Sequence, residues 1–105
     1  MVITNDISYF TVIATRELKT DLLKAISEHG GRFTNIMYGK GTVKSTTLIA
    51  ALGFVPENEK IVITFFVAKT HSDDIINMLD DEFHFDKPNT GIAFSYNINK
   101  IAISL

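Results

Sequence analysis

The sequence predicts an α+β sandwich, with four antiparallel strands in one sheet and two helices on one of its faces. Two observations carry this. Leu18, Leu22 and Ile26, and later Ile75, Ile76, Leu79 and Phe83, recur at helical spacing, so there are two amphipathic helices. Each is flanked by runs of β-branched and aromatic residues, giving the order strand, helix, strand, connector, strand, helix, strand. Residues 9–15 (YFTVIAT) are the first strand, and Thr15 is the expected cap of a helix over residues 16–29. Glu17 falls in that helix's first turn, where the dipole favours a negative charge. Gly30 and Gly31 end it, since glycine takes the left-handed terminal conformation without steric cost. Residues 33–38 form the second strand and residues 61–68 (IVITFFVA) the third. Ser72 is the expected cap of the second helix, with Asp73 and Asp74 at its positive end. A turn with Pro88, Asn89 and Gly91 leads into residues 92–98, and residues 101–103 form a short edge strand or a tail. Two interleaved βαβ units of this kind make a ferredoxin-like βαββαβ sandwich with the first and third strands in the centre.

Helices cover one face of such a sheet, so the other should alternate polar residues in a lone subunit. The central strands do not. Ile61, Ile63, Phe65 and Val67 point one way and Val62, Phe66 and Ala68 the other; Phe10, Val12 and Ala14 oppose Tyr9 and Ile13. Leaving such side chains wet forfeits about 1.5–3 kcal/mol each. The expectation is a homo-oligomer whose sheets face one another, unless the connector or the C-terminal tail covers the face.

Composition removes several function classes. The 105 residues carry a formal charge of −2 with 46% apolar and 21% charged residues, which argues against a nucleic-acid binder. Absent cysteine excludes disulfides and thiol chemistry. No apolar run approaches the roughly 18 residues of a membrane span, and the first six residues lack the pattern of a secretory signal, so a cytoplasmic location is expected. His29, His71 and His84 have no metal-ligand spacing. Ser45, Thr46 and Thr47 have no assignable base, and Asp80, Asp81 and Glu82 read as a solvated helix face, so no catalytic residue is assigned. Gly39-Lys40-Gly41-Thr42-Val43-Lys44-Ser45 is not a P-loop, because Tyr38 and Val43 stand where glycine is needed. It is either a plain turn with solvated lysines or a strand end where backbone N–H groups approach an anion, with Lys40 and Lys44 adding charge. The connector over residues 41–58 is long for a compact domain, and its apolar 46–54 segment reads as a short docked helix.

Taken together, Gly39-Lys40-Gly41 at a strand end, the long connector, Pro56-Glu57-Asn58-Glu59-Lys60-Ile61-Val62-Ile63, and Asn89-Thr90-Gly91-Ile92-Ala93-Phe94-Ser95 followed by Ile98 and Ile101-Ala102-Ile103 resemble the nitrogen-regulatory PII signal-transduction family, closer to its small PII-like relatives. The similarity spans residues 9–105 of a single domain. It implies a homotrimer with the sheets lining its centre and adenine nucleotides in clefts between subunits. Carried over, it places Gly39 and Gly41 on one side of a cleft and Thr90 and Gly91 on the other, and makes the connector a ligand-sensitive loop that touches a regulated partner protein. Two departures stand out: Ile92 replaces the family's lysine after the last-loop glycine, and Lys100, Ile101, Ala102 and Ile103 replace its arginine pair. Lys40, Lys44 and Lys87 are then the cations left to compensate. The connector has no tyrosine to accept uridylylation. The leading expectation is a non-enzymatic regulator binding a small ligand, an adenine nucleotide first. Its alternatives are a trimeric scaffold without ligand and a small dimeric ferredoxin-like enzyme.

Overall fold

The computed structural model describes residues 2–39, 59–88 and 90–104, with only the backbone of 2–4 and 103. The connector over 41–58, including its expected helix, and Lys40, Gly41, Lys44 and Asn89 lie outside the described residues.

Among the described residues the strands and α-helices follow in the order β1 (Val2–Thr4), β2 (Ile7–Thr15), α1 (Lys19–Glu28), β3 (Arg32–Gly39), β4 (Lys60–Ala68), α2 (Ser72–Phe83), β5 (Gly91–Ile98) and β6 (Ile101–Ile103). The main sheet is antiparallel in the order β3-β4-β2-β5, so the first and third long strands are central as the pattern predicts. Of the two readings of residues 101–103, edge strand or tail, the strand is the one formed. It pairs with β1, which the sequence reading did not find, in a separate two-stranded ribbon that aligns Val2 with Ile103 and Thr4 with Ile101.

Strand alternation sorts the side chains. Phe10, Val12, Ala14, Ile61, Ile63, Phe65 and Val67 face the helices and are buried against Leu22, Ala25 and Ile26 of α1 and Ile75, Met78 and Leu79 of α2. Phe10 and Phe65 stack nearly parallel across β2 and β4, with ring centroids 5.2 Å apart. Met78 takes the place expected of Ile76, which is exposed, and Phe83 packs at the margin of the core.

The helix ends differ from expectation in instructive ways. Both helices are entered through a 3₁₀ turn, Arg16–Leu18 and Lys69–His71. Thr15 makes no capping hydrogen bond. Ser72 lies inside α2, and its hydroxyl donates instead to Ser8 Oγ (2.9 Å), which donates to Asn97 Oδ1 (2.9 Å). Ser8 is fully buried, so this chain satisfies a hydroxyl that water cannot reach and ties α2 to β2 and β5. At the other end of α1, Gly30 adopts φ +96° and the Gly31 N–H reaches Ile26 O at 2.8 Å, the left-handed closure expected of the glycine pair.

Among the described residues no helix covers the opposite face of the sheet. Tyr9 lies between Phe66 (centroids 4.9 Å) and Tyr96 (5.7 Å), and Phe33 abuts Phe66 edge-on at 6.4 Å. One aromatic row thus crosses all four strands. Phe33, Met37, Phe94 and Tyr96 are more than two-fifths exposed, Phe33 reaching 69%. Phe33 also holds a φ of +54° at the irregularity between Arg32 and Asn35, a conformation costing a bulky residue about 1–3 kcal/mol.

Candidate ligand-binding site

The registers collect four strand termini at one end of the sheet. Gly39 ends β3 opposite Lys60, Lys60 pairs with Thr15 at the end of β2, and Ala14 pairs with Gly91 at the start of β5. Gly39 and Gly91 therefore share an end of the sheet but sit on opposite edges. Three strand spacings of about 4.8 Å separate them by about 14 Å within one chain. The candidate residues Gly39 on one side and Thr90 and Gly91 on the other are thus not brought together by the fold of a single subunit. Lys87 is exposed in the turn after α2, where its N–H bonds His84 O at 2.9 Å.

The two glycines differ in what their missing side chains do. A Cβ on Gly39 would meet no atom of the described residues within 4 Å, so nothing among them packs against its Cα. A Cβ on Gly91 would lie 2.3 Å from Phe85 Cζ, so the Phe85 ring lies directly against this backbone. Beside it a cleft of about 310 Å³ is lined by Ile76, Leu79, Asp80, Phe85, Gly91, Ile92 and Ala93.

Sequence reading missed a cation cluster at the same end. The Arg16 N–H donates to Glu59 O at 3.2 Å, and Arg16 Nη1 lies 3.4 Å from Glu59 Oε2. The Arg16 guanidinium sits 4.7 Å over the Tyr38 ring and Lys19 Nζ 5.2 Å over the same ring. Tyr38 precedes the connector and Glu59 follows it, so Arg16 touches both of its roots. Arg16 Nε is buried with no hydrogen-bond partner among the described residues. Burial also holds the Lys60 ammonium below its ordinary pKa. Arg16, Glu17, Thr15 and Glu59 line a cavity of about 370 Å³. No motif marks these residues; the pairing of β4 with β2 brings Glu59 to Arg16, and its pairing with β3 brings Tyr38. Among the described residues no group of His, Cys, Asp and Glu side chains is placed to hold a metal ion, and no helix is long and apolar enough to cross a membrane.

No family model matches the sequence, and no curated protein does. Solved structures do match. CPII of Thiomonas intermedia K12, bound to ADP, AMP and acetate, is 13% identical with a TM-score of 0.72 over 98% of this chain and 94% of its own. A PII-like signaling protein of Thermus thermophilus is 19% identical with a TM-score of 0.67, covering 93% of this chain and 91% of that one. The GlnK–ATP complex of B. subtilis is 15% identical with a TM-score of 0.60 over 90% and 86%. Strand order, helix placement and these likenesses agree: the fold of this chain is that of the PII-like signalling proteins.

Proposed function

We propose that the chain is a non-enzymatic regulatory protein that binds an adenine nucleotide in clefts between the subunits of a homotrimer. The observation that carries this reading is the placement of Gly39 and Gly91 on opposite edges of one sheet end. Each subunit offers two half-sites too far apart for one phosphate group, and a neighbouring copy supplies the missing half. The aromatic row supplies a reason to associate, since fully burying an exposed ring such as Phe33 or Tyr96 returns up to about 1.5–3 kcal/mol. Burial also offsets the strain of holding Phe33 at positive φ. Similarity to CPII, solved with ADP and AMP, and to GlnK, solved with ATP, favours an adenine nucleotide as the ligand.

The mechanism that fits is a population shift. A nucleotide touching Gly39 and the Arg16–Glu59 contact acts at the roots of the connector over 41–58, favours one of its conformations, and so changes affinity for a regulated partner protein. The test is thermal denaturation against adenosine, AMP, ADP and ATP. A nucleotide at 100 times its dissociation constant stabilises by about 2.7 kcal/mol, a clear rise in Tm. No rise with any of the four at millimolar concentration rejects the nucleotide reading and leaves a scaffold.

A further inference from the structure

We propose that Arg16, with Lys19 beside it on the Tyr38 ring, is the phosphate-binding cation pair of this chain. The inference rests on the nucleotide reading and goes beyond it by naming side chains that no motif marks. A nucleoside diphosphate brings two or more negative charges, and the chain has Ile92 next to Gly91 and an apolar run at 101–103. Besides Lys40, Lys44 and Lys87, the described residues offer Arg16 and Lys19 as cations at the same sheet end. Arg16 follows Thr15, whose strand partner Lys60 faces Gly39, so its guanidinium is rooted on the Gly39 side of the cleft.

The arrangement looks like a site with its ligand position held by a substitute. Glu59 Oε2 is 3.4 Å from Arg16 Nη1, well beyond the 2.7–2.9 Å of a good charge-assisted bond, and both side chains are more than a third exposed. The adjoining Nε is buried and has no acceptor among the described residues. A guanidinium presents its N–H groups as a planar fork that matches two phosphate oxygens, and here the fork is only weakly engaged. The Tyr38 ring lies against both cations, 4.7 Å from the Arg16 guanidinium and 5.2 Å from Lys19 Nζ, which lowers the ordering cost of binding. The cavity of about 370 Å³ that Arg16 lines has Glu17 and Glu59 on its wall. An incoming phosphate must therefore displace the Glu59 carboxylate. Since Glu59 is the residue where the connector returns to β4, phosphate binding and release of the connector root are one event.

Isothermal titration of the full chain with adenosine, AMP and ADP tests this, using Arg16→Gln, Lys19→Gln and Glu59→Gln, each checked for an unchanged melting transition without ligand. The expected result is ADP bound more tightly than adenosine, a tenfold or greater loss of ADP affinity in Arg16→Gln with adenosine affinity unchanged, and tighter ADP binding in Glu59→Gln. Equal ADP affinity in wild type and Arg16→Gln overturns the assignment and leaves the nucleotide reading standing. If Arg16→Gln does not fold, Lys19→Gln and Glu59→Gln decide: unchanged ADP affinity in both overturns it. A wild type that binds none of the three rejects the nucleotide reading itself, and the assignment falls with it.

Discussion

Tyr9 and Phe66 face each other across the two central strands, ring centroids 4.9 Å apart, on the side of the sheet opposite the two helices of the core. With Tyr96 and Phe33 they make a contiguous aromatic surface, of the kind that marks an interface.

Placing a charge in that row should separate the subunits without unfolding them. Phe66→Glu leaves the helix-side core of Phe10, Ile63 and Phe65 intact, because residue 66 points away from it. Sedimentation velocity should show a smaller species for Phe66→Glu than for wild type at the same micromolar concentration, with helical circular dichroism retained. An unchanged oligomer would place the interface elsewhere.

The two glycines at the sheet end should respond oppositely to alanine. Gly91→Ala drives a Cβ into the Phe85 ring and should destabilise by about 1–3 kcal/mol, since the ring must give up part of its packing. Gly39→Ala meets no atom of the described residues and should melt within about 0.5 kcal/mol of wild type. Chemical denaturation of both variants measures the contrast; an equal loss in the two would contradict the packing described for Phe85.

Much of the fold was legible because periodicity reports burial directly. The alternation of Phe10, Val12 and Ala14 against Tyr9 and Ile13 gave both faces of β2, and Leu22 and Ile26 gave the buried stripe of α1. Helix starts were less legible. Thr15 and Ser72 have capping chemistry, but 3₁₀ turns intervene, and Ser72 bonds Ser8, which is distant in sequence and adjacent only in the fold. The ribbon of β1 with β6 escaped because three residues are too few for a pattern. Of the candidate site, Gly39 and Gly91 could be read as glycines at strand ends, whereas Arg16 and Tyr38 become a unit only through strand pairing.

The buried hydroxyl chain should be costly to interrupt. Ser8→Ala leaves Asn97 Oδ1 without its donor and Ser72 Oγ without its acceptor. The expected loss is about 1–3 kcal/mol, read from urea denaturation as a lower midpoint at unchanged slope. A midpoint equal to wild type would mean that water replaces the Ser8 hydroxyl.

The central claim is that one ligand site is built from two copies of the chain. Native mass spectrometry with ADP addresses it most directly. The account predicts an ion of three chains carrying up to three nucleotides, and a Phe66→Glu protein that is smaller and binds none. A single chain that retains ADP at low concentration would contradict it.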